Sequence, residues 1–179
     1  GHLYGQRNIV PLLKIISDLK KKSFFKNQEF ILKIFGKYDK LFLKKYIKRL
    51  GIQDQVYLGE YLTRSRIFEE ISECNLAVHI GENVNYPTIA FKVWDYLSCR
   101  KKILYLGRED SYTAQFLKKN NFGIIIPINN INEGKKIFEE LLKDLKKSNF
   151  ANLIEKEKLV QYSWDNIVDK FRLCVENLF

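Results

Sequence analysis

The chain has 179 residues, is 46% hydrophobic and 29% charged, and carries a formal net charge of +10. That is apolar material for the core of one domain, spanning residues 1–179, and it argues against a disordered tail and, since the longest apolar runs are short, against a bilayer span. Cys74, Cys99 and Cys174 share no short spacing and the histidines are His2 and His79, so neither a disulfide framework nor a zinc site follows, and reduced thiols in a cytoplasmic protein are the simple reading.

The elements follow in chain order. Residues 7–22 have helical periodicity and end in a lysine run. "EFILKIFG" (29–36) reads as a strand ending at glycine, and 39–50 as a basic helix stopped by Gly51. "QVYLG" (55–59) is a short strand, and "SRIFEEISEC" (65–74) a helix with Ser65 as its expected N-cap. "NLAVHIG" (75–81) is a strand in which His79 is expected at the core edge. The polar loop "ENVNYPT" then leads into "IAFKVWDYLS", a helix expected to begin at Pro87-Thr88 and to bury Phe91, Trp94 and Leu97. "KKILYLG" (101–107) is a strand, 111–120 a helix capped by Asp110 or Ser111, and "FGIIIPI" (122–128) a strand. Three helices complete the chain, the last from Trp164 and expected to pack back along the domain edge. No signal peptide is legible and no methionine is present, so the sequence reads as an excised piece in which Gly1-His2 resembles a tag remnant.

Ile-, Leu- and Val-rich strands alternating with helices predict an α/β fold. The expected form is a Rossmann-like doubly wound parallel sheet of about six strands, with helices on both faces and a helical C-terminal end. Ligands in such sheets bind at the carboxyl ends of the strands, here after Gly36, Gly59, Gly81 and Gly107. The amides of Thr88 and Ile89 are then expected to face a phosphate, through aligned donors and the helix dipole. Neither G-x-G-x-x-G nor a P-loop is present.

Residues 14–49 hold twelve Lys/Arg against Asp18, Glu29 and Asp39. In "KLFLKKYIKRLG" a face of Leu43, Tyr46, Ile47 and Leu50 opposes one of Lys44, Lys45, Lys48 and Arg49. The functional reading is a surface for anionic lipid or nucleic acid. The plain one, favoured by the charge run alone, is a solvated lysine face. In the helix after the polar loop, Lys92 and Asp95 stand at i and i+3, where a surface ion pair is likewise the plain reading.

The order strand, glycine, helix, "VYLG", helix, "NLAVHIG", "FKVWDYLS", "KKIL", "NNFGIIIP" resembles the C-terminal domain of GT-B glycosyltransferases. It is most similar to the group-1 enzymes of glycosyltransferase family 4, whose helix carries a "K-x-x-E-Y-L" type stretch. "YSW" (162–164) resembles the family's late "sW". The resemblance implies a nucleotide-sugar donor site. In it Asp95 accepts hydrogen bonds from ribose hydroxyls, as an acceptor-only carboxylate can, and Lys92 orients Asp95. Tyr61 and Gly59 approach the base, and Tyr86 covers the diphosphate. The sequence departs from the family pattern at four positions. Pro87 stands where the family often has a first Glu, and Asp95 replaces the second. The positions of the family's phosphate-binding Arg and Lys align with His2 and Asn8, and Arg7, beside Asn8, is the substitute.

The resemblance thus implies the nucleotide-sugar-binding half of a hexosyltransferase-type enzyme that transfers sugar to a glycan or lipid-linked acceptor in cell-surface polysaccharide assembly. The N-terminal acceptor-binding domain is absent from this sequence, so the isolated domain is expected to be inactive. No metal or other cofactor is expected, nor nucleic acid as a partner; a peripheral contact with the inner face of the membrane is. The alternative is a degenerate, non-catalytic domain of the same fold that binds an anionic surface through residues 14–49. An epimerase would need more acids and histidines than His79 alone offers, and a phospho-receiver domain would need an acid pair after the first strand.

Overall fold

The computed structural model describes residue 3 and residues 7–26, 29–81, 87–147 and 153–176. Helix α1 (Val10–Lys21) buries the stripe Leu12, Leu13, Ile15, Ile16 and Leu19, spaced as one side of a helix requires. After β1 (Leu32–Ile34), α2 (Lys40–Leu50) starts at Asp39, whose carboxylate accepts the Phe42 amide at 2.9 Å. It stops at Gly51, where φ is +68°, a left-handed conformation that glycine adopts without Cβ strain. A 3-10 turn leads into β2 (Val56–Leu58), α3 (Arg64–Glu73) and β3 (Ala77–Ile80). Helix α4 (Phe91–Ser98), β4 (Ile103–Gly107), α5 (Tyr112–Lys119) and β5 (Gly123–Pro127) continue the alternation. The helices α6 (Ile131–Lys147), α7 (Lys156–Val160) and α8 (Trp164–Glu176) follow.

Every strand pairing is parallel: β1 with β2, and β3 with β4 with β5. Among the described residues there are five strands, in two sheets, rather than about six in one. The strands are also shorter than their apolar runs. Glu29, Phe30 and Ile31 precede the Leu32–Val56 register, where the 3-10 turn delays the start of β2, so they find no ladder partner.

Strand β4, central in its sheet, is buried throughout and sorts its residues by the period-two rule. Leu104 and Leu106 face a core built with α1, α2, α6 and β1–β2. Ile103 and Tyr105 face a second core with Val93 and Leu97 of α4, Ala114 and Leu117 of α5, and Phe122. Helices therefore cover both faces, as the sequence predicted. The core through β1 and β2 also joins the two sheets into one body.

Four local expectations are corrected. Thr63, not Ser65, flanks α3 at its N-terminus, and Ser65 lies in the first turn. Helix α4 begins at Phe91, three residues after Thr88. Phe91 is 90% exposed, because Val93 and Leu97 form the buried line of α4 and Phe91 falls on the opposite side; at about 100° per residue the two directions differ by about 140°. Helix α8 does not pack its described apolar side chains against the domain edge: Trp164 is 80% exposed, and Ile167, Val168 and Leu173 are exposed as well. Ser111 caps α5 as expected, its hydroxyl accepting the Ala114 amide.

Candidate functional site

The strands are all parallel and alternate with helices, so the carboxyl ends of the strands and the starts of the helices that follow them share one edge. Residues 3 and 7–9 lie along that edge. The Leu3 amide donates to the Lys37 carbonyl just past β1, at 3.0 Å, and the charge of Arg7 is felt by His79 at the end of β3 and by Lys92 in α4. Asn8 is exposed and turns its side-chain oxygen back to accept the Val10 amide at 2.9 Å. That oxygen is thereby committed to the start of α1.

Asp95 and Lys92 sit on α4. The carboxylate of Asp95 is 39% exposed, and its ion-pair partner is Arg64, Nη2 to Oδ1 3.7 Å, at the first position of α3. The expected i, i+3 pairing with Lys92 is not the one formed. Lys92 is half-buried instead. Burial pulls its ammonium below the ordinary lysine range, the like charge of Arg7 adds to the effect, and Asp95 opposes it. Around the start of α4, Thr88 is exposed and its carbonyl accepts the Thr113 hydroxyl, while Ile89 is half-buried against the second core. Both precede the helix. The amides of its first two positions belong to Phe91 and Lys92, and the Val93 amide is taken by the Ala90 carbonyl. Tyr86 and the rest of segment 82–86 lie outside the described residues.

The same edge carries a shallow depression of about 200 Å³ past β1 and β2, lined by Gly36, Lys37, Tyr38, Lys40, Gly59 and Glu60. Gly59 is held from both sides. Its amide donates to Ile34 at 2.9 Å and its carbonyl accepts the Tyr38 hydroxyl. A Cβ there would fall 2.3 Å from the Phe35 ring, so a larger residue would require that ring to move. Glu60 pairs with Lys40, which holds its carboxyl below the usual range. Tyr61 follows, 72% exposed.

Beneath the edge, His79 is 7% exposed and stacks on Tyr105, ring centroids 5.6 Å apart. Burial, with the nearby charges of Lys92 and Arg7, lowers its imidazole from 6.5 to about 4. It is a neutral core-edge histidine, as its place in the strand predicted. The Tyr105 hydroxyl meets Ser111 at 2.8 Å. Among the described residues no group of three or more His, Cys, Asp and Glu is arranged to hold a metal ion, and no helix is long and apolar enough to cross a membrane.

The structure thus brings Asp95, Lys92, Arg7 and the start of α4 together, and sets Gly59 and Tyr61 beside the depression on the same edge. Sequence reasoning missed Arg64, which falls one residue before the helix expected at 65–74. It also missed the Tyr38–Gly59 contact, which joins residues 21 apart and leaves no local pattern.

The fold, a Rossmann-like parallel arrangement with helices on both faces, is similar to that of solved glycosyltransferases. Among similar solved structures is WaaG, a glycosyltransferase involved in lipopolysaccharide biosynthesis (TM-score 0.64, 14% identity, 80% of this chain and 36% of that one). Another is an S. aureus TarM variant in complex with fondaparinux, alpha-GlcNAc-glycerol and UDP (TM-score 0.67, 18% identity, 96% of this chain and 33% of that one). TarM itself gives a TM-score of 0.65 at 19% identity over 96% of this chain and 33% of its own. The chain therefore spans about a third of the length of these proteins, and at such identities the likeness is one of fold. No protein-family model and no curated protein matches the sequence.

Proposed function

We propose that this chain is the nucleotide-sugar-binding half of a glycosyltransferase that moves a sugar from an activated donor to a glycan or lipid-linked acceptor in cell-surface polysaccharide assembly. The observation that carries the reading is the meeting of a half-exposed carboxylate, Asp95, with two cations, Lys92 and Arg7, at the carboxyl edge of the sheet. A nucleoside diphosphate needs those two chemistries side by side: an acceptor for the ribose hydroxyls and positive charge for the phosphates. The fold likeness to TarM, one form of which was solved with UDP, supports the same choice.

In this reading Asp95 takes the ribose, and Lys92 and Arg7, with the first amides of α4, face the diphosphate. Thr88 and Ile89 shape the approach to that helix rather than supplying its aligned amides. Gly59 and Tyr61 border the base, with the depression at Tyr38 and Glu60 as its neighbour. When the bond between the anomeric carbon and the diphosphate oxygen breaks, negative charge grows on the leaving group. Fixed cations and amides stabilise it there without a protein-held metal. The acceptor is held by a partner domain, so the chain alone binds donor and does not turn over.

Calorimetric titration of the chain with UDP, GDP and ADP tests the reading. Saturable binding of at least one, weakened by Asp95→Ala, is the expected result. No binding of any of the three overturns it in favour of a non-catalytic domain of the same fold.

A further inference from the structure

Helix α2 carries a feature that donor binding does not use. Leu43, Tyr46 and Ile47 are buried under it, and Lys44, Lys45, Lys48 and Arg49 are exposed. Leu41 is 73% exposed and Phe42 49%. Neither belongs to the buried side. Lys44, Lys45 and Lys48 stand three, four and seven residues after Leu41, the spacing that stacks side chains on one helix face. Leu41 therefore projects from the middle of the cationic face, at its N-terminal end. Phe42 flanks it, its ring stacked on Tyr46 at 5.6 Å, and Arg49 covers the Tyr46 ring at 4.5 Å.

The cations are in excess. Residues 37–49 hold six Lys/Arg against Asp39, whose carboxylate is engaged at the start of α2. Lys40 pairs with Glu60, which also feels Lys44, and among the described residues no salt bridge engages Lys44, Lys45, Lys48 or Arg49. A solvated lysine face needs no exposed leucine in line with it, and a nucleic-acid surface gains nothing from one, since phosphates want charge and bases want flat rings. A bilayer with anionic headgroups matches both parts: lysines at headgroup level, Leu41 and Phe42 below it.

We infer that α2 docks this chain on an anionic lipid surface, lying in the interface with Leu41 and Phe42 inserted. The helix is 11 residues long, so it lies on a membrane and does not span it. Because α2 begins at the carboxyl edge of β1, the contact places the cleft edge next to the bilayer. The inference does not rest on donor binding, which is read by its own titration.

The test is co-sedimentation of the chain with vesicles of 70% phosphatidylcholine and 30% phosphatidylglycerol, against vesicles of phosphatidylcholine alone. Binding is expected only to the first, with release at 1 M salt. A Lys44→Gln/Lys45→Gln/Lys48→Gln variant should lose at least tenfold, since each lost basic residue weakens the attraction to the anionic headgroups. A Leu41→Ser/Phe42→Ser variant, with all charges kept, should lose binding by at least fivefold. Circular dichroism checks that both variants stay folded, as substitutions on an exposed face should. Failure of the chain to bind anionic vesicles overturns the inference. So does unchanged binding in the Leu41/Phe42 variant, and so does binding of a single-stranded RNA oligonucleotide that the vesicles do not displace.

Discussion

Arg64 reaches Asp95 across the gap between α3 and α4, yet the pair is loose. Nη2 and Oδ1 are 3.7 Å apart, and Arg64 is 84% exposed. That is an ion pair without a good hydrogen bond, and such exposed pairs are worth about 0–1 kcal/mol. The guanidinium holds the carboxylate in place without sealing it, so ribose hydroxyls can take over the same oxygens. Arg64→Ala should therefore leave the melting temperature nearly unchanged and alter nucleoside diphosphate affinity by less than about fivefold. Asp95→Ala should remove up to two charge-assisted bonds, roughly 1.5–3 kcal/mol, or about ten- to a hundredfold in affinity. A 2′,3′-dideoxy ligand should not register the Asp95 change. Equal losses for both ligands would remove Asp95 from the ribose site.

His79 makes stability depend on pH. Its folded value, about 4, lies below the ordinary 6.5, so between these values the unfolded chain binds more protons. The contribution is present above about pH 6.5 and is lost as pH falls toward 4, by roughly 3 kcal/mol in all. Denaturant midpoints at pH 7.5, 5.5 and 4.5 should fall in that order. His79→Gln should flatten the part of the slope that belongs to this window. A slope unchanged by the substitution would assign the effect to other groups.

Ser111 and Tyr105 share a hydrogen bond but not equal weight. Ser111 Oγ donates to the Arg108 carbonyl at 2.9 Å, accepts the Ala114 amide at 3.2 Å and meets the Tyr105 hydroxyl at 2.8 Å. With its one proton given to Arg108, the serine receives the tyrosine's. Tyr105→Phe removes one of these bonds and keeps the ring on His79, so it should cost about 1 kcal/mol. Ser111→Ala removes the cap of α5 and all three bonds, and should cost about 2–3 kcal/mol. Urea denaturation of the two variants gives the comparison, and equal costs would count against the cap.

What the sequence revealed follows from how local each feature is. The alternation of apolar runs with helical periodicity is a short-range pattern, and the parallel strands, Gly51 and Ser111 stand where it put them. The start of α4 and the exposure of Phe91 are not local. An aromatic three residues before Trp94 reads as core, but Phe91 lies in the first turn on the far side of the Val93–Leu97 line, where no described element covers it. The partner of Asp95 was hidden for a similar reason. Lys92 was near in sequence and Arg64 near in space, and burial had already turned Lys92 toward the sheet. The exposed side of α8 shows the same limit, since periodicity marks an apolar face without saying what covers it.

Lys92 gives the prediction that separates a binding role from a packing one. Burial and the like charge of Arg7 both disfavour its charged form, and the attraction of Asp95 is the smaller influence. A half-buried ammonium crowded by another cation weakens the ligand-free protein. Lys92→Gln keeps most of the stem and removes the charge, so it should raise the melting temperature by a degree or more. The same change should weaken binding of a nucleoside diphosphate about tenfold, a monophosphate less, and the free nucleoside hardly at all, because the lost attraction scales with phosphate charge. Opposite signs for stability and affinity are what a group held under strain for a ligand produces. A purely structural lysine would lose stability on substitution and show no gradation with phosphate number. Thermal melts without ligand, set beside titrations with the three ligands, distinguish the two: a fall in melting temperature with equal affinities would place Lys92 in the packing of α4 and leave the diphosphate to Arg7 and the helix amides.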